Sequence, residues 1–297
     1  MKWLPIYLLV ATMSFGQEKD SIGLALNPQW ATSHEVEIET DIRIAQYFDF
    51  MDALVTLGDS LLNYPVSEHI LVQNNPWIID ALANTDYYRM IAKDSLVYDQ
   101  RQQIALPKGA VIKIPDSITT CNILRKFGST KIEVNIPEFR LRIFRDTSLL
   151  YSFPIRVGQN KKRYLAMGDR TTDLRTKHGT GRIINHVKNP DFFNPVDGKQ
   201  FYTTKRDDGK TTMMPRIPWL ETEINGYRNG QMIHPTTNPK TLGKAYSNGC
   251  IGTSEGDAWI IYYYAPLGTP IEIKYELVPK QLKNKNTPLK DIYGYVN

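Results

Sequence analysis

Hydrophobic positions along the chain change their period near Ser129. Between Asp41 and Asn63 the residues Ile42, Ile44, Phe48, Met51, Leu54, Val55, Leu57, Leu61 and Leu62 recur mostly at spacings of three and four. That predicts an amphipathic helix ended by Pro65. Trp77–Ala92 carries a similar pattern and predicts a second helix. Leu106-Pro107-Lys108-Gly109 then turns the chain into a short alternating strand, Ala110–Ile114, closed by Pro115. Beyond Ser129 the period is two. Lys131–Ile136, Phe139–Phe144 and Tyr151–Val157 alternate, with turns at Pro137-Glu138 and near Arg145-Asp146, and Arg182–Val187, Gln231–His234 and Ile271–Leu277 are further strands. One helix is predicted in this half: Ser254-Glu255-Gly256-Asp257 has the form of a capping box, Ala258–Ala265 follows, and Pro266 stops it. The expectation is an α+β protein, with a mainly β sandwich or barrel-like domain preceded by a smaller, mostly helical one.

Composition narrows the class. With 41% hydrophobic residues over 297 positions the chain can bury a sizeable core, and a mean hydropathy of −0.37 excludes a membrane bundle. Two cysteines exclude a disulfide scaffold and a thiolate-built zinc site. The net charge of +5 is uneven: Gln17–Gly128 balances to −6 and Ser129–Asn297 to +10. A cationic half suits an anionic polymer outside the cytoplasm, or simply a solvated surface. No zinc-finger spacing or RNP-type motif points to nucleic acid.

The first residues give the address. Met1-Lys2, an apolar run from Trp3 to Met13 and small residues at Ser14 and Gly16 have the form of a signal peptide over 1–16. The run is too short to span a bilayer, which takes about 20 apolar residues. The expected product is periplasmic or otherwise extracytoplasmic, with no stable membrane span. The organisation expected is a linker over 17–40, a helical domain over 41–128, a β-rich domain over 129–277 and a tail over 278–297. The helices followed by LPKGAVIKIP are similar to a small wall-binding module of LysM type. A helical cap with no ligand of its own is the alternative.

The chemistry concentrates in Met232–Ile273, which holds one His and one Cys. His234 ends a strand, and Cys250 lies in Ser247-Asn248-Gly249-Cys250-Ile251 just ahead of the capped helix. A cysteine nucleophile works as a thiolate, which a neighbouring imidazole or a helix N-terminus favours. Gly249 permits a sharp turn without a Cβ penalty, and such a turn can aim main-chain N–H groups at a developing oxyanion. A Cys–His pair on its own also fits a buried structural cysteine.

The surroundings of the pair decide more. His234 precedes Cys250 by 16 positions, and Ile233-His234, Leu242-Gly243, Ser247, Gly249-Cys250-Ile251, Asp257-Ala258 and Leu267–Ile273 fall at the spacings of a known motif. Phe153–Gly158 and the Asn189–Pro195 stretch agree with it upstream. The segment from about Lys131 to Tyr275 resembles the L,D-transpeptidases, the YkuD domain family, and especially its ErfK/YbiS-type members. The departures are Asn248 in place of a His, Gly252 in place of an Arg or Asn, Pro235 in place of a Gly or Ser, and His178-Gly179-Thr180-Gly181 in place of a Thr-Pro-x-Gly turn.

The resemblance implies a YkuD fold and a set of roles. Cys250 is the nucleophile toward the amide before the terminal D-alanine of a wall stem peptide. His234 is the general base that later protonates the leaving amine. The carbonyl of Pro235 orients the imidazole, the N–H groups of Gly249 and Cys250 form the oxyanion hole, and Ser247 bonds within the loop. The implied partners are peptidoglycan stem peptides, a donor tetrapeptide and an acceptor amine, with carbapenems as inhibitors. No metal or organic cofactor is implied. An L,D-carboxypeptidase or amidase and a non-catalytic wall-binding protein are the alternatives. His178 and His186 flank a strand and could line the cleft or serve structure. His34 and His69 have no partner pattern. A Cys121–Cys250 disulfide would abolish the thiolate. Trp259 with Tyr262, Tyr263 and Tyr264 reads as a helix face packed on the sheet.

Overall fold

The alternating segments after Ser129, with two further strands that the sequence did not announce, build one mixed sheet of eight strands. They are β1 (Thr130–Asn135), β2 (Arg140–Arg145), β3 (Ser148–Pro154), β4 (Gly179–Val187), β5 (Trp219–Ile224), β6 (Met232–Pro235), β7 (Ile251–Thr253) and β8 (Pro270–Lys274). The structure is a computed structural model and describes residues 35–95, 97–279 and 288–295. The signal-peptide segment and His34 lie outside them. Among the described residues no helix is long and apolar enough to cross a membrane.

The spatial order is β7-β6-β5-β4-β8-β1-β2-β3. The β7/β6 and β8/β1 pairs are parallel and the others antiparallel. The sheet takes the barrel-like form rather than the sandwich. Just past β3 the backbone of Arg156 exchanges two hydrogen bonds with Gly252 of β7, at 2.8 and 3.0 Å, so the two outer strands meet. Ile132, Val134, Leu141, Ile143, Ile183, Leu220, Ile233, Ile251 and Ile271 fill the inner face and are buried. The alternation that predicted the strands is therefore the alternation of inward and outward positions.

Among the described residues six helices accompany the sheet: α1 (Ile44–Leu61), α2 (Glu68–Asn74), α3 (Trp77–Ala83), α4 (Tyr87–Ile91), α5 (Ser117–Gly128) and α6 (Glu255–Tyr264). The helix expected over Trp77–Ala92 is two. Asp86 interrupts it by accepting from the backbone N–H groups of Tyr88 and Arg89, which caps α4 and ends the run before it. The last part of the expected linker is also ordered, because Glu35–Glu37 alternates, buries Val36 and pairs with Val111–Lys113.

The α6 aromatics do not pack on the sheet alone. Trp259 meets Tyr47 and Phe48 of α1, Tyr262 meets Phe48 and His69, and the Tyr263 hydroxyl lies 2.5 Å from that of Tyr47. The N-terminal helices and the β-rich part thus share one continuous hydrophobic core. Part of the expected tail also folds back, since Tyr293 is buried and donates from its hydroxyl to the carbonyl of Gly158 at 2.7 Å.

Candidate active site

Two neighbouring parallel strands place the nucleophile and the base. In the β6/β7 register Ile233 faces Ile251 and His234 faces Gly252, and Cys250 is the residue immediately before β7. Both side chains line one cavity of about 560 Å³. Its walls join an aromatic and apolar side, with Phe192, Phe201, Met214, Trp219 and Tyr246, to a polar one that includes Arg156, Asp191, Asn238 and Asn248.

The His234 tautomer follows from its partner. Nδ1 lies 2.8 Å from the carbonyl oxygen of Pro235. A carbonyl only accepts, so Nδ1 carries the proton and Nε2 is the basic nitrogen. The Trp219 ring lies 5.0 Å from the imidazole. Burial and, after it, the positive charge of Arg156 hold the imidazole pKa down to about 4, against a smaller upward pull from the Pro235 carbonyl. His234 is neutral at neutral pH.

Cys250 is a free, half-buried thiol, as is the exposed Cys121, so no disulfide joins them. Its sulfur lies 4.0 Å from the Gly230 carbonyl. Burial pushes the thiol pKa up, and the Met232 backbone N–H and Arg156 offset part of that rise. The pair therefore rests as thiol and neutral imidazole rather than as a preformed ion pair.

The loop before the sulfur is tied on both sides. Ser247 Oγ donates to the Cys250 carbonyl at 2.6 Å and accepts from the Gly249 N–H at 3.2 Å. Thr176 Oγ1 donates to the Gly249 carbonyl at 2.9 Å and accepts from the Gly158 N–H at 2.8 Å. Gly249 has φ +117°, a conformation that a side chain would strain. Its N–H, offered to an oxyanion by the resemblance, is here engaged by Ser247. The other histidines stand apart. His186 Nε2 donates to the Ala265 carbonyl at 2.9 Å and stacks on His69, and His178 lies against Tyr295. None of the three lines the cavity.

Residues 129–273 match the family model of the L,D-transpeptidase catalytic domain, YkuD. This stretch of the chain is an L,D-transpeptidase catalytic domain. Solved structures similar to the chain include an L,D-transpeptidase from Mycobacterium smegmatis, at 16% identity and TM-score 0.34 over 49% of this chain and 58% of that one. LdtMt1 in complex with imipenem is similar at 15% identity and TM-score 0.34, over 49% of this chain and 59% of that one. An L,D-transpeptidase fragment from Xylanimonas cellulosilytica is similar at 12% identity and TM-score 0.36, over 81% of this chain and 98% of that one. The match thus spans under two thirds of the first two proteins. No curated protein matches the chain.

Sequence reading missed Arg156, Thr176, Trp219 and Met232 in this L,D-transpeptidase site. Arg156, Thr176 and Trp219 lie outside the His–Cys segment, and only the barrel closure and the sheet register bring them to it; Met232 lies inside it and acts through its backbone N–H. The one available signal was Gly252, a missing side chain beside a nucleophile.

Proposed function

We propose that this protein is an exported L,D-transpeptidase that forms 3→3 peptidoglycan cross-links through a Cys250 thioester. The observation that carries the reading is the seating of Cys250 and an Nδ1-protonated His234 on adjacent parallel strands, opening on one cavity. The 16-residue spacing is the ground for placing it with the ErfK/YbiS-type members.

The steps follow from the resting protonation states. His234 Nε2 takes the thiol proton as the sulfur attacks the carbonyl before the terminal D-alanine. The Cys250 N–H is the main-chain donor not engaged by Ser247, and it faces the developing oxyanion. Collapse breaks the C–N bond, and the imidazolium returns its proton to the departing amine of D-alanine. An amine of a second stem peptide then attacks the thioester, gives up a proton to His234 and leaves the cross-link and the free thiol. Export rests on the 1–16 segment.

Mass spectrometry of the Cys250 peptide after exposure to disaccharide tetrapeptide tests the reading. A mass gain equal to the donor less D-alanine is expected, with dimers when acceptor is added and no adduct in Cys250→Ala. A carbapenem adduct on Cys250 is expected as well. Trimmed tripeptide with no dimer would turn the reading to a carboxypeptidase. No adduct with either reagent would sink it.

A further inference from the structure

Arg156 carries a charge that the protein leaves unanswered. Its side chain lines the cavity beside Cys250 and His234. Its Nε is buried without a hydrogen-bond partner, and its one side-chain bond runs from Nη1 to Thr241 Oγ1 at 3.3 Å. No carboxylate pairs with it among the described residues; the side chains it interacts with electrostatically are Cys250, Tyr246 and His234. A guanidinium held in this way is costly unless an anion joins it.

The fold also makes room for it. A Cβ built on Gly252 would stand 2.5 Å from Arg156 Nε, 2.7 Å from Cγ and 3.0 Å from Cδ. The space next to the nucleophile that a side chain at 252 would fill is thus taken by a cation from the opposite edge of the sheet. Two other buried polar atoms without partners, Trp219 Nε1 and Asn238 Oδ1, belong to residues lining the same cavity. Half of the six such atoms in the described residues therefore sit around one opening. That is where a ligand would complete them.

We infer that Arg156 is the specificity residue of this site, holding a substrate carboxylate beside the Cys250 sulfur, and that Gly252 is small so that it can. Assigning the carboxylate to a stem peptide rests on the proposed function, but the presence of an anion site does not. A guanidinium binds a carboxylate through two parallel N–H bonds, which fixes direction as well as charge.

Alkylation of Cys250 separates the two questions. In a Cys121→Ser background, iodoacetate and iodoacetamide react with the same sulfur and differ in one negative charge. The wild-type rate ratio of iodoacetate to iodoacetamide is expected to exceed that of N-acetylcysteine by about tenfold. Arg156→Gln should bring the ratio to that of the free thiol, and Arg156→Lys should keep part of the excess. Gly252→Ala, which retains the arginine but displaces it, should reduce the ratio. A wild-type ratio equal to that of the free thiol, or an undiminished ratio in Arg156→Gln, overturns the inference.

Donor tetrapeptides amidated either at the diamino acid or at the terminal alanine then name the carboxylate. The amidation that costs the wild type about tenfold in kcat/KM, mostly in KM, and costs Arg156→Gln nothing identifies it. If neither behaves so, the stem-peptide assignment is overturned. A charge-selective Cys250 that no stem peptide acylates would end the transpeptidase reading and leave the anion site standing.

Discussion

A neutral thiol beside a neutral imidazole sets how Cys250 can react. The proton must move during attack, so the limiting ionisation is that of His234, whose protonated form cannot serve as base. Acylation kcat/KM is expected to rise through about pH 4 and then stay level through neutrality. A stopped-flow pH profile checks this, and a rate that climbs steadily to the thiol pKa would instead mean a preformed thiolate. Ser247→Ala removes both bonds that Ser247 makes in the loop, to the Cys250 carbonyl and from the Gly249 N–H, and leaves the Thr176 bond in place. It should lower the acylation kcat about tenfold with little change in KM, on the order of one hydrogen bond's net worth, as single-turnover measurements would show. At this scale the sequence disclosed what is local: Cys250, His234 and Ser247 share one segment. Arg156 was hidden because a barrel closure far along the chain brings it in, and spacing within a segment carries no trace of that.

Elements explain which other parts could be read. Six of the eight strands of the sheet were legible because each has one face in the core, and α1 because it buries one stripe; β5 and β7 were not, because they bury successive residues and show no alternation. Helix α2 was not legible. It buries Glu68, His69, Ile70, Leu71 and Val72 in succession, so it shows no period of 3.6. Helix α5 was missed for the opposite reason, since it is mostly polar and Thr120 and Ile123 are its only buried residues. The start of α6 was clear from its cap, where Ser254 Oγ accepts from the Asp257 N–H at 3.1 Å. Ser254→Ala should cost about 1 kcal/mol of stability in urea titration.

The whole molecule behaves as one body because its N-terminal part is anchored on α6. Glu255 is buried, pairs with Arg206, and accepts from Gln100 at 2.7 Å and from the Tyr87 backbone N–H at 3.0 Å. Glu255→Ala strands the Arg206 charge and should cost roughly 3–5 kcal/mol by denaturant unfolding. Wild-type unfolding should show a single transition by tryptophan fluorescence and far-UV circular dichroism alike. Acid acts on the same interface. Burial, chiefly, holds His69 and His186 at pKa values of about 4 when folded, against 6.5 when exposed. The unfolded chain binds more protons between those values, so stability is full above pH 6.5 and falls as the pH drops toward 4, by roughly 3 kcal/mol for His69 alone. Tm measured across that range should fall, and His69→Gln should flatten the slope.

The seam between Arg156 and Gly252 has one more consequence. Arg156 and Gly252 have their main-chain groups taken by each other, so at that point an incoming peptide cannot be gripped by lengthening a ladder of amides. Recognition at the cavity falls instead to Arg156 and the aromatic side chains around it. A hold of that kind weakens as added electrolyte screens it, which makes the affinity of this cavity for an anionic ligand a matter of ionic strength.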